Sequence, residues 1–280
     1  MLLKNIYNEF IKILAKPRSY IGIGALTLLI CIILFAMKAD GSSFISFVTS
    51  SFEQTLSFNG TILNGNLIAF IILQMLIVHI PLLVALVTGD LISGEAAMGT
   101  VRMLATKPIS RTKIVISKFI AGAVYTFILT LWLIFLSLFV SKFIFGSGDL
   151  IVLNSEGLVI LKEQDILWRY GLSFIVAFLS LLTVSSVSIC FSAFAENSIG
   201  PIVSTMAVII LFTIIGSMEV SVFQSIKPFL FTTHMASWRS FFEDPVPYSK
   251  IFNSIIILVV HNVLLVSIAI IKFNKKDITS

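Results

Sequence analysis

The stretch from Tyr170 to Met218 reads YGLSFIVAFLSLLTVSSVSICFSAFAENSIGPIVSTMAVIILFTIIGSM. It holds two apolar runs, Tyr170–Ala195 and Asn197–Met218, on either side of Glu196. A helix needs about 20 apolar residues to cross the roughly 30 Å hydrocarbon core of a bilayer, so the stretch is too long for one crossing. Pro201 falls where a helix tolerates proline, in its first turn. The stretch therefore predicts two transmembrane helices joined by a tight hairpin.

Four further apolar runs of similar length occur along the chain, and none of the six contains Asp, Glu, Lys or Arg. One such residue at a helix centre costs about 2.5–3.5 kcal/mol on insertion, so their absence favours membrane spans. The chain is 58% apolar and 12% charged, which is far from the composition of soluble domains. We predict an all-α integral membrane protein, in which residues 1–280 form a single domain of six transmembrane helices. The other four spans are predicted at Ile21–Met37, Leu67–Val87, Phe119–Ser141 and Ile251–Ile271.

The distribution of basic residues between alternate loops predicts the orientation of the spans. Twelve of the nineteen Lys and Arg residues fall in the termini and in the loop of residues 88–118. The acidic residues are concentrated in the other loops. The positive-inside rule therefore places both termini, the loop 88–118 and the hairpin at Glu196 in the cytoplasm, with the protein multi-pass in the cell membrane. The basic residues are scattered between spans, which argues against a nucleic-acid-binding face.

Residues 1–20 precede the first span and have the pattern of an amphipathic helix. Such a helix lies along the membrane surface. A secretory signal fits poorly, because Lys38 stands where a cleavage site needs small residues. The apolar face of the predicted helix is formed by Leu3, Ile6, Phe10, Ile13 and Leu14, and the polar face by Lys4, Asn8, Lys12 and Lys16.

The loop between the second and third spans carries the most specific pattern. Residues 88–113 read TGDLISGEAAMGTVRMLATKPISRTK. Thr100 is suited to cap a short helix through Leu104, which Pro108 then stops. Ser110 can cap the next helix. If that helix begins near Arg111 and runs to Phe145, it reaches about 52 Å at about 1.5 Å per residue.

This loop resembles the corresponding loop of the permease subunits of the ABC-2 family of ABC transporters. The resemblance is sharpest in the acidic Glu95, in Gly99-Thr100, in Leu104 and in Pro108-Ile-Ser-Arg111, with Lys118 ahead of the third span. Ala96 and Ala97 depart from the family pattern, in which charged residues are common at these positions.

The resemblance implies six spans per subunit, an N-terminal connector helix in residues 1–20 and a cytoplasmic coupling helix in residues 88–118. The coupling helix would dock on an ATPase subunit. The residues that the resemblance assigns to coupling are Glu95, Gly99, Thr100, Arg102, Leu104, Pro108 and Arg111. We expect Glu95, Thr100 and Arg102 to contact the ATPase. The alternative is a solvated charged loop that merely follows the positive-inside rule.

Several motifs are absent from the sequence. No Gly-x-x-x-x-Gly-Lys-Ser/Thr loop is present, so ATP and its Mg²⁺ are expected to bind to a partner subunit and not to this chain. No His-Glu-x-x-His or Gly-x-Ser-x-Gly motif is present, and Cys31 and Cys190 have no partner at a metal-ligand spacing. We therefore predict a transport subunit with no catalytic residues, no cofactor of its own and no metal site.

Two histidines lie inside predicted spans, His79 in the second and His261 in the sixth. They could line a translocation path, since ionisable groups in a membrane are often functional. Alternatively they form neutral hydrogen bonds between helices. Pro81 is suited to kink the second helix.

Two loops on the other side of the membrane are rich in aromatic residues. The segment 219–250 is broken by three prolines and predicts re-entrant or interfacial helices over the outer mouth of the pathway, with an aromatic belt as the alternative. The segment 38–66 suggests a surface helix.

Taken with the resemblance, these features predict the membrane-spanning permease of an ATP-driven exporter. Two permeases, identical or related, would work with two ATPase subunits by alternating access. The alternatives are a secondary transporter or channel without an ATPase, and a membrane-bound resistance or immunity protein.

Overall fold

The computed structural model describes residues 2–49, 62–100, 109–154 and 157–276. This part of the chain is mostly helical, and six of its helices are long and apolar enough to cross a membrane. They have the length and composition of the helices of a multi-pass membrane protein. The six candidate spans are Pro17–Gly41, Ile80–Ala97, Arg111–Phe145, Glu163–Phe194, Ile199–Ser217 and Tyr248–Lys275.

The helices in chain order are α1 (Leu2–Ala15), α2 (Pro17–Thr49), α3 (Gly65–Leu76), α4 (Ile80–Thr88), α5 (Asp90–Ala97), α6 (Arg111–Ile134), α7 (Ser141–Phe145), α8 (Glu163–Phe194), α9 (Ile199–Ser217), α10 (Ser221–Gln224), α11 (Phe231–Met235) and α12 (Tyr248–Lys275). A π-helical turn, Phe135–Val140, joins α6 to α7. Short 3₁₀ helices are formed by Lys227–Phe229 and Ala236–Phe242. Helix α2 leaves helical geometry at Asp40, so it consists of two helices that meet at a kink.

The third predicted span is confirmed together with the start of its helix. Ser110 is the N-cap of α6, and its hydroxyl accepts a hydrogen bond from the Lys113 N–H. The helix then runs for 35 residues, Arg111–Phe145. Serine satisfies one of the free N–H groups at a helix start, which explains why this boundary is readable from the sequence.

The second predicted span, Leu67–Val87, contains a break near Pro81, as the kink prediction expects, but its bounds are corrected, because the candidate span is Ile80–Ala97. The structure breaks this segment into α3 and α4 at residues 77–79. Pro81 has no N–H to donate, and its ring crowds the carbonyl one turn earlier, so the helix cannot pass through this point unbroken. Helix α5 follows α4 directly, and the second candidate span therefore includes Asp90 and Glu95.

The all-α class also needs a correction, because the third and fourth spans are joined by a β-hairpin. Strand β1 (Leu150–Asn154) pairs antiparallel with β2 (Gly157–Leu161), with Asn154 opposite Gly157. The signal was present in the sequence, since two runs rich in β-branched residues flank the turn.

Helix α8 is the central helix of the bundle and packs against α4, α5, α6, α9 and α12. Small side chains such as Ala177, Ser185 and Ser188 are buried on it, and small residues allow helices to approach closely in membranes. One end of the bundle carries α1, α5 and the start of α6, together with the end of α12. The other end carries the hairpin and the short helices between α9 and α12.

The aromatic segment 219–250 folds into short helices, as its broken pattern predicts. Trp238 and Phe242 are buried, and the Phe242 ring lies 4.9 Å from that of Tyr170 on α8. The segment therefore packs onto the bundle. Its depth in a membrane stays a prediction. The surface helix suggested for 38–66 lies partly outside the described residues, and α2 accounts for its first part, to Thr49.

Gly65 is a site where close approach of two backbones requires glycine. A Cβ built there would lie 2.5 Å from the Lys142 Cα and 2.6 Å from the Lys142 nitrogen. We expect Gly65→Ala to push α3 away from α7 and to cost about 1–3 kcal/mol of stability, as overpacking does. Thermal unfolding in detergent measures this. Gly24→Ala is the control, because a Cβ at Gly24 meets nothing within 4 Å; equal melting temperatures for the two variants would contradict the prediction.

Candidate functional site

Four charged side chains from three helices meet at the end of the bundle that carries α1. Glu9 and Lys12 come from α1, Glu95 from α5 and Lys118 from α6. The Lys12 ammonium lies 2.6 Å from a Glu9 carboxylate oxygen and 2.7 Å from one of Glu95. The Lys118 ammonium lies 2.7 Å from the other oxygen of each carboxylate. Each carboxylate thus bridges both lysines, and the four groups close a ring that we call the ion-pair cluster.

The ion-pair cluster is largely buried. Lys118 is 1% exposed, and Glu9 and Glu95 are each 7% exposed. Lys12 is the member that reaches solvent. A cavity of about 20 Å³ adjoins the cluster, which is room for about one water molecule. A buried charge is costly unless it is paired, so the ring holds its three helices in one arrangement.

A second set of ion pairs lies beside the cluster and uses Asp90, the first residue of α5. One Asp90 oxygen lies 2.6 Å from the Lys16 ammonium, and the other lies 3.0 Å from the Arg18 guanidinium. A Cβ at Gly94 would overlap the Asp90 carboxylate. Glycine at this position therefore leaves room for the carboxylate to reach the start of α2.

The charged groups of the cluster favour the ionised form of one another. Burial would raise the pKa of Glu9, but the ammonium groups of Lys118 and Lys12 outweigh it and hold that pKa below its usual 4.5. Burial would lower the pKa of Lys12, but Glu9 and Glu95 outweigh it and raise that pKa above 10.5. Both groups are therefore charged at neutral pH.

These shifts give a testable pH dependence. A lowered carboxylate pKa contributes stability above pH 4.5 that is lost as the pH falls through the folded-state pKa. A raised lysine pKa contributes stability below pH 10.5 that is lost as the pH rises further. We expect the difference in melting temperature between wild type and Glu9→Gln to be constant from about pH 5.5 to 9 and to shrink below pH 4.5. A difference that shrinks already near pH 7 would contradict the assignment.

Gly99 and Thr100 end α5 in a Schellman motif. The Thr100 N–H donates to the Glu95 carbonyl at 3.0 Å, and the Gly99 N–H donates to the Ala96 carbonyl at 3.0 Å. Gly99 has φ +68°, a conformation that favours glycine. The Thr100 hydroxyl also donates to the Glu95 carbonyl, at 3.2 Å. The residues that Thr100 is predicted to cap lie outside the described residues, so that role stays a prediction.

Arg111 joins the start of α6 to the end of α12. Its guanidinium donates to the Asn274 carbonyl at 3.0 Å and to the Lys276 carbonyl at 2.7 Å. The last carbonyls of a helix have no partner within the helix, and a cation there also compensates the helix dipole. In the single chain, Arg111 therefore fastens the end of the last helix.

The structure brings several of the predicted coupling residues to one end of the bundle. Glu95, Gly99, Thr100 and Arg111 lie there, whereas Arg102, Leu104 and Pro108 lie outside the described residues. The two Glu95 oxygens lie 2.7 Å from the ammonium groups of Lys12 and Lys118, although only the contact with Lys12 has the geometry of a hydrogen bond. Within the single chain Glu95 therefore positions α5 against α1 and α6, and its direct contact with a partner stays a prediction.

A family model described as a protein of unknown function, DUF2705, matches residues 25–279. The chain belongs to the DUF2705 family. No curated protein matches it. The DUF2705 match includes Asp90, Glu95 and Lys118, while Glu9 and Lys12 precede it. Within the described residues of this DUF2705 protein, no group of His, Cys, Asp or Glu side chains is placed to hold a metal ion.

The two histidines predicted inside spans bond locally in the described residues. His79 lies in the break between α3 and α4, and its Nδ1 lies 2.8 Å from the Met75 carbonyl of α3. The His261 Nδ1 lies 2.8 Å from the Ile257 carbonyl of its own helix, α12. The alternative of hydrogen bonds between helices stays a prediction. A role in lining a pathway stays a prediction.

Asn262, the neighbour of His261, makes the contact between helices that was expected of the histidines. Its side-chain nitrogen donates to the Thr183 hydroxyl at 2.8 Å, and its oxygen accepts from Ser186 at 2.5 Å. Buried polar bonds of this kind hold membrane helices in register.

Arg169 is a structural anchor that the sequence does not reveal. It lies on α8, is 6% exposed, and donates to the carbonyls of Phe241 and Glu243 at 2.8 Å each. It also faces the Asp244 carboxylate at 3.8 Å. A basic residue at the start of a span is typical of a charge at the membrane surface. The sequence therefore does not indicate that Arg169 holds the segment between α9 and α12.

Proposed function

We propose that this protein is the membrane-spanning permease subunit of an ATP-driven transporter, an exporter in which two permeases work with two separate ATPase subunits. The loop of residues 88–118 supports this proposal through its resemblance to ABC-2 permeases. The six candidate spans and the 35-residue helix Arg111–Phe145 are consistent with it.

The observation that carries the proposal is the ion-pair cluster. It joins α1, α5 and the first part of α6, with Glu95 about one helical turn before the loop 98–110 and Lys118 about two turns after it. A displacement applied to this loop would move the three helices together, because the buried charges cannot separate without a large cost. A soluble motor that pushes on the loop would thus act on the bundle and not only on the loop.

The proposal divides the coupling residues into two roles. Glu95, Gly99 and Arg111 position the ends of helices by bonds within the chain, whereas Thr100 and Arg102 belong to the loop that would contact the ATPase. Leu104 and Pro108 share that loop. The same proposal places this end of the bundle in the cytoplasm, with both termini there and the protein in the cell membrane, and assigns ATP and Mg²⁺ to the partner.

The test is copurification of a P-loop ATPase with the tagged chain from its native host in mild detergent. We expect wild type to retain an ATPase and Arg102→Ala to lose it by about tenfold or more, equal to about 1.4 kcal/mol. Glu95→Ala is a poor probe, because it breaks the buried cluster and confounds binding with folding.

Arg239→Ala is the matched control. Arg239 is exposed at the opposite end of the bundle, so its loss should leave ATPase binding unchanged. If Arg102→Ala retains the ATPase, Arg102 is not part of the contact, and the proposal of an ATP-driven transporter is unaffected. Absence of any ATPase from wild type, even after crosslinking, would overturn the proposal in favour of a transporter or channel without an ATPase.

A further inference from the structure

A groove of about 580 Å³ runs between α6 and α8. Its floor is formed by the buried residues Thr130, Leu138, Tyr170 and Phe174, and its walls by exposed apolar side chains such as Leu131 and Ile175. All of its lining residues belong to two candidate spans, Arg111–Phe145 and Glu163–Phe194.

The groove contains no free polar group for a polar ligand. The Thr130 hydroxyl donates to the Thr126 carbonyl at 2.8 Å, and the Tyr170 hydroxyl donates to the Asn66 carbonyl at 2.7 Å. The other lining residues are apolar or glycine. Water needs two or more polar partners in a cavity, so hydrocarbon is the chemistry that fits.

The groove has the length of one leaflet of a bilayer. It extends over Phe127–Phe139 on α6 and its π-helical turn and over Leu167–Phe178 on α8, about 17 Å at about 1.5 Å per residue. Half of the hydrocarbon core is about 15 Å thick. The groove begins near the middle of both spans and ends beside the hairpin.

Both ends of the groove are marked by aromatic residues. At the inner end the rings of Phe127 and Phe178 meet edge to face, with centroids 5.3 Å apart. Beside the outer end, Trp168 follows the lining residue Leu167 and is exposed, and tryptophan is enriched at the membrane–water interface. The π-helical turn Phe135–Val140 places Leu138 and Phe139 in the groove, and such turns are frequent at functional sites.

We infer that this groove is a binding site for one acyl chain of a membrane lipid from the leaflet on the hairpin side. The chain would lie along the helices with its methyl end against the Phe127–Phe178 pair and its headgroup near Trp168. The inference does not depend on the proposed ATPase partner.

The test uses Gly171, which lines the groove and whose built Cβ meets nothing within 4 Å. Gly171→Phe adds a phenyl ring at a lining position where the first added carbon meets no protein atom. Gly24→Phe is the matched control, because Gly24 is equally open but lies on α2, outside the groove. The protein is reconstituted in vesicles of phosphatidylethanolamine and phosphatidylglycerol that contain a trace of phosphatidylglycerol with a photoactivatable diazirine on its acyl chain.

Mass spectrometry of the crosslinked peptides then shows which residues the lipid chain contacts. We expect crosslinks to concentrate in wild type on residues 127–139 and 167–178, and to fall about tenfold in Gly171→Phe, equal to about 1.4 kcal/mol, but not in Gly24→Phe. Crosslinks spread evenly over α2 and α12 would show ordinary boundary lipid and overturn the inference. Crosslinks absent from the groove, as when a second copy of the chain covers it, would also overturn it. The wild-type distribution decides the question even if Gly171→Phe does not fold.

Discussion

Replacing Lys118 by methionine is expected to lower the free energy of unfolding by about 3–5 kcal/mol, the cost of leaving buried charges without their partner. Lys118 is 1% exposed and lies 2.7 Å from Glu9 and from Glu95. Methionine keeps the length of the side chain and removes the charge, so two buried carboxylates would share Lys12 alone. For a chain of this size the melting temperature in detergent should fall by roughly 6–20 °C.

Two further variants separate the cluster from other effects of the substitution. Lys113→Met changes an exposed lysine on the same helix and should stay within about 0.5 kcal/mol of wild type. Lys118→Met combined with Glu95→Gln leaves Glu9 and Lys12 as a balanced pair, so it should be more stable than Lys118→Met alone. If Lys118→Met and Lys113→Met have the same melting temperature, the carboxylates are solvated and the cluster does not hold the three helices.

The sequence predicts those parts of the fold whose causes are local. Helix α6 begins where Ser110 can cap it, and five of the six candidate spans lie over the predicted runs of apolar residues. The sequence predicts only part of the structure of the second span. Pro81 indicates a kink, but the sequence does not show that the helix would resume and extend through Asp90 and Glu95. That extension is possible because the two charges are paired by Lys118 on α6 and by basic residues of α1, α2 and the junction between them, all distant in the sequence.

The candidate site depends on contacts that the sequence does not specify. Glu95 was singled out by a motif, yet its partners Lys12 and Lys118 lie far away along the chain on two other helices. Helix α1 also makes contacts that its amphipathic pattern does not predict. Ile13 is buried and Glu9 pairs with Lys118 on α6, whereas Leu3 is 81% exposed in the single chain, where a helix on a membrane surface would meet lipid. The amphipathic pattern predicts contact with a membrane surface and does not show which polar residue meets a buried lysine.

Replacing Arg169 by methionine is expected to detach the segment between α9 and α12 from the bundle. Arg169 donates to the carbonyls of Phe241 and Glu243, and hydrogen bonds to a charged group contribute about 1.5–3 kcal/mol each. Loss of about 3 kcal/mol raises the local opening equilibrium by on the order of 10²-fold. Hydrogen exchange should report this as faster exchange of the amides in Ala236–Phe242.

Arg239→Met is the matched control for this prediction. Arg239 lies in the same segment and carries the same charge, but it is exposed and contacts the Trp238 ring, 5.7 Å from its centroid. Arg239→Met should leave the amide exchange rates of the segment within a few-fold of wild type, since surface substitutions usually change stability by less than about 0.5 kcal/mol. If the amides of this segment exchange equally fast in Arg169→Met and Arg239→Met, the guanidinium does not hold the segment. It is then held by Trp238 and Phe242, which pack against Phe70. If only Arg169→Met opens, one buried cation on the central helix α8 fixes the position of the whole segment, and any motion of α8 is passed directly to it.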